Sequence, residues 1–231
     1  MLGDEAPDTL TALNDLAAAY GQLGRIDEAI AMHKVAAATR ERVLGPDDPD
    51  TLVSRSNLAF FYRLARQFDE AIELGRRNVA DRERVLGALD RDTMVSRNNL
   101  GVTYMEAGRT AEAIAEHERN RRDREAVLTA DHPDTLYSLS NLARAYTAAG
   151  RHAEAIALHE RTLQARERVL GPDHPDTAKS RAYLAEARAA GHAAPLPAAP
   201  PKAPRSSHPE RSLASPGRPV AVNAGGAAAG F

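Results

Sequence analysis

Three kinds of side-chain cluster in this sequence of 231 residues have the composition of a chemical site. Acids and histidine crowd together at Asp47-Asp48-Pro49-Asp50, Asp131-His132-Pro133-Asp134 and Asp173-His174-Pro175-Asp176, a donor set that suits a hard or borderline cation. A calcium loop needs about 12 residues of alternating ligands with a glycine and a closing glutamate, and that pattern is absent. Asp and Pro side by side are expected to act as helix caps and turn formers instead. His33, His117 and His159 recur at 84- and 42-residue intervals. Packed helical units stand about 10 Å apart, too far for two imidazoles to share zinc at ~2.0 Å without other ligands, so these histidines are expected at packing positions. The Arg-Glu-Arg runs at 40–42, 82–84 and 166–168, and the denser group Arg119, Arg121, Arg122 and Arg124, are expected to be solvated helix surface with local ion pairs. There is no cysteine, glycine-rich phosphate loop, nucleophile elbow or His-Glu-x-x-His pattern, so the expectation is a non-enzyme with no catalytic residue, no metal and no cofactor.

The elements that position these residues follow from a repeat. Asp8-Thr9-Leu10, Asp50-Thr51-Leu52, Asp92-Thr93-Met94, Asp134-Thr135-Leu136 and Asp176-Thr177-Ala178 follow one another at 42-residue steps without insertion. Leu16, Leu58, Leu100 and Leu142 keep the same step, as do Tyr20, Tyr62, Tyr104 and Tyr146. Spacing this regular means a stack of one supersecondary unit, each copy burying its apolar face mainly against its neighbours. Within a unit the pattern reads helix, turn, helix. The first helix opens at a Pro-Asp pair such as Pro7-Asp8 or Pro133-Asp134, whose Asp is expected to cap it. It carries Leu13, Leu16, Ala17 and Tyr20 at helical spacing and stops near Gly24, Gly108 or Gly150. The second runs from Asp27, Asp69, Ala111 and Ala153 to Leu44, Leu86, Leu128 and Leu170. Small residues at Ala17, Ala59, Gly101 and Ala143, and at Ala29, Ala71, Ala113 and Ala155, mark the close approach of the two helices.

Leu-Ala or Leu-Gly followed by Tyr in the first helix, with Ala in the second, resembles the tetratricopeptide repeat. The longer period and the linker Leu-Gly-Pro-Asp-His-Pro-Asp-Thr at 170–177 resemble the kinesin light chain variety. The reading is an all-α, right-handed α-solenoid of stacked antiparallel helix pairs. Its four repeats are 8–49, 50–91, 92–133 and 134–175, followed by a capping helix at 176–190, so that the solenoid domain is 1–190. Two departures from the family pattern stand out. The second-helix position that usually holds an aromatic carries His33, Gly75, His117 and His159. Arg55 and Arg97 replace the apolar residue kept at Leu13 and Leu139, which leads to an expectation of looser packing in repeats 2 and 3.

The resemblance implies a concave groove lined by the first helices, in which an extended peptide of a protein partner lies. Counting from the repeated tyrosine puts Asn14, Asn57, Phe60, Arg63, Asn98, Asn99, Val102, Tyr137, Asn141 and Arg144 at peptide-binding positions. An amide side chain can donate to and accept from a peptide backbone at once. The competing reading for the asparagines is that they bond only to neighbouring helices. For function, the alternative is the sensor or regulatory arm of a nucleotide-dependent signalling switch whose NTPase domain is missing or encoded upstream.

Composition bounds the setting. A formal net charge of −2 and 4% aromatic content give no global reason to expect nucleic acid or membrane as partner. The absence of Cys suits a reducing compartment, so a cytoplasmic location is expected. A monomer or a weakly self-associating chain is expected. Residues 191–231 are rich in Pro, Ala and Gly without apolar periodicity and are expected to be a disordered tail. That tail carries +3, leaving −5 on the solenoid. Leu2 to Thr9 aligns with the linker Leu44 to Thr51, which raises the expectation of a fragment of a longer protein.

Overall fold

The computed structural model describes residues 6–193. The expected tail from 194 onward, and the first five residues, lie outside the described residues. The described chain is a succession of helices: α1 (Pro7–Gln22), α2 (Ile26–Leu44), α3 (Pro49–Leu64), α4 (Phe68–Val85), α5 (Arg91–Glu106), α6 (Thr110–Val127), α7 (Pro133–Ala148), α8 (His152–Leu170) and α9 (Pro175–Ala193). Each packs against the next, and the first helices α3, α5, α7 and α9 also touch in series. This is an all-α solenoid, and α9 runs three residues beyond the expected end of the capping helix.

The helix starts correct one expectation. From α3 onward the cap of each first helix is the residue just before the helix, not the Asp within its first turn, and Ala6 before α1 makes no side-chain cap. Asp48 accepts from the Asp50 N–H at 2.9 Å, and Asp90 accepts from Asp92 and Thr93 at 2.8 and 3.3 Å. His132 and His174 do the same through Nδ1, each accepting from the N–H two residues on at 3.1 Å. In α3, α7 and α9 proline then occupies the first helical position, where its missing N–H costs nothing, and in α5 Arg91 stands there. The acid and histidine clusters are therefore helix starts. The corner between paired helices needs a left-handed residue, supplied by Gly24, Gly108 and Gly150 at φ near 75° and by Arg66 at 59° in repeat 2.

Leu58, Leu100 and Leu142 are buried between a preceding second helix and their own partner. Leu16 occupies the same position but is 47% exposed, since the described stack places no second helix before α1. The small residues behave as their spacing predicts: Ala17, Ala29, Ala71, Ala113, Ala143 and Ala155 are all buried.

Arg55 and Arg97 are not themselves points of loose packing. They are the largest of the fully buried side chains, at 1% and 0% exposure. Arg55 donates to Asp81 at 2.7 Å and to the Pro46 carbonyl at 3.2 Å, and pairs with Glu41 at 3.0 Å. Arg97 donates to Glu83 at 2.5 Å and to Asp123. Where Leu139 stands in their place, the residue corresponding to Asp81 and Asp123 is Ala165, which packs in the same apolar cluster. Guanidinium and carboxylate, or Leu and Ala, are thus exchanged as pairs.

The Arg-Glu-Arg runs are likewise not merely solvated surface. Their leading residues Arg40, Arg82 and Arg166, together with Arg124, are buried and reach into the next repeat. Arg40 donates to Ser54 Oγ at 2.7 Å, Arg166 to Ser180 Oγ at 2.8 Å, and Arg124 to the Asp134 carbonyl; Arg82 pairs with Asp92 at 3.4 Å. Burial lowers the pKa of Arg124 and Arg166. The glutamates of the runs join consecutive second helices, as in Glu41 with Arg77 at 2.6 Å and Glu83 with Arg119 at 3.0 Å. Within a helix Arg84 pairs with Asp81 at 3.1 Å and Arg121 with Glu125, as the local spacing suggests, while the buried arginines and the glutamates reach between repeats.

Candidate functional site

The first helices present their groove side through residues that helical spacing puts on one face, and between repeats 2 and 3 this face opens into a cavity of about 320 Å³. Its walls include Phe60 and Arg63 from α3, and Asn99 and Val102 from α5; Tyr137 on α7 closes one side. Phe60 and Tyr137 are 45% and 49% exposed, unusual for large aromatic side chains in a chain with so few. Arg63 pairs with Glu106 at 2.5 Å and lies 5.1 Å from the Phe60 ring centroid, so its guanidinium is already oriented along the rim.

The cavity lies at one departure from the histidine-bearing register. His33, His117 and His159 are each 1% exposed, and the His33 and His159 rings lie 4.7 and 5.9 Å from Phe61 and Tyr183 on the next first helix. Gly75 stands at that position in repeat 2 and lines the cavity instead. A Cβ placed there would lie 3.2 Å from Leu100 Cδ1, so the neighbouring leucine stands close to the backbone on one side of the open place. Beneath it Asn78, 2% exposed, donates to Ser56 Oγ at 2.7 Å and leaves its Oδ1 without a partner. A buried acceptor of this kind favours a ligand that brings a hydrogen-bond donor.

The residues selected from sequence separate into three groups. Phe60, Arg63, Asn99, Val102 and Tyr137 come together in the cavity, with Asn57 half-buried on the same helix as Phe60. Asn14, Asn98 and Asn141 are buried and engaged between helices. Asn141 donates to Asn98 Oδ1 at 2.8 Å, while Asn14 donates to Ser54 Oγ at 3.3 Å and meets His33 Nδ1 at 3.0 Å. For these three the competing reading describes the contacts. Arg144 lines a separate cavity of about 240 Å³ with His159 and Tyr183, its guanidinium 5.4 Å from the Tyr183 ring. Gly75, Asn78 and Ser96, which also line the cavity, are not among the residues that the count along the first helix picks out. The one sequence signal for them is the break at Gly75 in an otherwise histidine-bearing register.

The buried imidazoles are uncharged near neutrality. Burial, reinforced by Arg144, pushes His117 and His159 down to about 4, and burial alone lowers His33. They add no positive charge to the groove. Among the described residues no group of His, Asp and Glu is arranged to hold a metal ion. No described helix is long and apolar enough to cross a membrane.

Stacked antiparallel helix pairs with a groove lined by the first helix of each pair define a helical-repeat scaffold. Tetratricopeptide repeat profiles match residues 8–84, 93–134 and 135–176, and the chain belongs to the tetratricopeptide repeat family, with repeats of the kinesin light chain kind. Two crystal structures of Podosopora anserina TPR-like repeats, named for a putative kinesin light chain and described as nearly identical repeats, are similar to it. One, a form carrying a single Gln-to-Met substitution, aligns with a TM-score of 0.74 at 29% identity, covering 83% of this chain and 90% of that one. The other gives 0.73 at 30% identity, covering 81% and 89%. BtubC (BKLC) from P. vanneervenii shares the fold at a TM-score of 0.65 and 24% identity, over 72% of this chain and 66% of that one. No curated protein matches the sequence. Membership of this repeat family points to a protein–protein interaction scaffold.

Proposed function

We propose that the chain holds an extended peptide segment of a partner protein in its groove, with one side chain of that segment seated in the cavity at Gly75. The observation that carries this reading is the open place of a ring in repeat 2, walled by two exposed aromatic side chains and floored by an unpartnered buried acceptor. Asn99 at the rim is exposed and free to meet a peptide backbone in both senses, as donor and acceptor. Asn14, Asn98 and Asn141 support the groove from beneath by fixing the helices that carry it. Partner affinity then rests on Phe60, Val102 and Tyr137, with Arg63 and Asn99 orienting the chain.

The test is binding of peptides selected from a random display library on the full chain. Asn99→Ala combined with Phe60→Ala is expected to weaken the selected peptides roughly tenfold or more with unchanged helical circular dichroism. Binding unaltered by the pair of substitutions would overturn the groove assignment.

A further inference from the structure

Repeats 1, 3 and 4 close the corner between their helices with the same three residues. Arg25 lies 4.4 Å from the Tyr20 ring centroid and pairs with Glu28 at 2.8 Å. Arg109 lies 5.0 Å from Tyr104 and pairs with Glu112 at 2.7 Å; Arg151 lies 3.9 Å from Tyr146 and pairs with Glu154 at 2.6 Å. In each, one guanidinium satisfies the negative face of a ring and a carboxylate together. Repeat 2 keeps the ring and the carboxylate, Tyr62 and Glu70, but has Gln67 in place of the arginine. The Gly-Arg corner of the other repeats is Arg66-Gln67 here, and Arg66 turns away to lie 5.3 Å from the Phe68 ring.

No other cation completes the set. Among the described residues Glu70 has no ion-pair partner. Lys34 approaches Tyr62 at 5.3 Å, farther than any of the three arginines stands from its own tyrosine, and does not reach Glu70. Arg77 is held by Glu41 at 2.6 Å. Against Tyr62 and Glu70 the structure has an open cavity of about 480 Å³, with Leu58 and Leu74 as its apolar wall and Asp69 and Glu73 adding negative charge at its edge. It shares no lining residue with the groove cavity, and its assignment does not depend on the groove reading.

We propose that this cavity receives an arginine from a partner protein, whose guanidinium takes over Tyr62 and Glu70 the place that Arg25, Arg109 and Arg151 take within the chain. The three complete corners define the geometry, and the unpaired carboxylate of Glu70 defines the charge of the occupant, Arg77 at the edge of the cavity being held by Glu41. Arginine is favoured over lysine because a planar guanidinium stacks on the ring while its fork of N–H groups meets the carboxylate. The residues flanking that arginine lay apolar surface on the half-buried Leu74.

The chain has six tyrosines, so 3-fluorotyrosine labelling of the full-length protein gives a fluorine spectrum in which Tyr62 is assigned through Tyr62→Phe. Titration with Nα-acetyl-arginine amide is expected to move the Tyr62 signal saturably and to leave Tyr20, Tyr104 and Tyr146 in place, while the uncharged citrulline analogue moves none. Glu70→Gln is expected to weaken the response roughly fivefold or more. Gln67→Arg supplies the guanidinium within the chain and is expected to shift Tyr62 without ligand and abolish the response. An unmoved Tyr62, equal movement at the other corner tyrosines, an equal effect of citrulline, or a full response in Gln67→Arg would overturn the proposal. Sedimentation showing a dimer dissolved by Gln67→Arg would place a second copy of this chain in the cavity and also overturn the assignment to a partner.

Discussion

The middle of the stack and its fourth repeat build the same helix pair from opposite materials. In repeats 2 and 3 the inner position of the first helix holds a buried guanidinium with its carboxylates; in repeat 4 it holds Leu139 against Ala165. In repeat 4 the ring position is filled by His159, whereas in repeat 2 it is vacated by Gly75. The helices keep one 42-residue register through both exchanges, so backbone geometry is fixed by the small residues that recur in every repeat. The variable positions are then available for function, and the cavity sits where a ring is missing while everything around it is held.

The largest effect should come from breaking one exchanged pair. Arg97→Leu strands Asp123 beside an apolar side chain and is expected to cost about 3–5 kcal/mol in chemical denaturation. Adding Asp123→Ala copies the Leu139 and Ala165 pairing and should recover more than half of the loss. A double variant no more stable than the single one would show that the two layers are not interchangeable.

Acid should separate the filled repeats from the open one. His117 and His159 titrate near 6.5 when unfolded and at about 4 when folded, so the unfolded chain takes up protons first. Stability present above pH 6.5 is therefore lost as the pH falls toward 4, by about 3 kcal/mol per ring over that window. His117→Phe keeps a flat ring without a titrating nitrogen. It should reduce the slope of stability against pH by about 1.4 kcal/mol per pH unit between 6 and 5. An unchanged slope would mean that His117 does not stay neutral in the fold.

Smaller effects probe how tightly the ring position is packed. Gly101 faces His117 so closely that a Cβ would lie 2.6 Å from the imidazole, whereas repeat 4 accommodates Ala143 with His159. Gly101→Ala is thus expected to lower stability by about 1–3 kcal/mol, measured by thermal unfolding. Arg66→Gly, which gives repeat 2 the corner residue of its neighbours, should raise stability by only ~0.5 kcal/mol, relief of a left-handed side chain being offset in part by glycine's freedom when unfolded.

The solenoid was legible in the sequence because Asp-Thr, Leu, Tyr and Ala recur in one register, and a repeating unit can bury them only by stacking. Arg55 and Arg97 were misread because polarity alone marks them as intruders; their carboxylates lie 26 residues on, on the second helix of the same repeat, and 14 residues back, on that of the preceding one. The Arg-Glu-Arg runs were misread for a related reason, since their partners belong to adjoining repeats. Phe60, Asn99, Val102 and Tyr137 were found by counting along the first helix. Gly75 is recognisable as a departure, but a missing side chain becomes a cavity only once its neighbours are known to stay where they are.

Gly75→His is the most direct test of this account, because it puts into repeat 2 the imidazole that the other repeats carry. Fluorescence anisotropy with a display-selected peptide is expected to show binding lost by roughly tenfold or more, with an unfolding midpoint close to that of the parent chain. A Gly75→His chain that folds normally and binds the peptide as tightly as the parent would contradict the claim that the open ring position is the binding site.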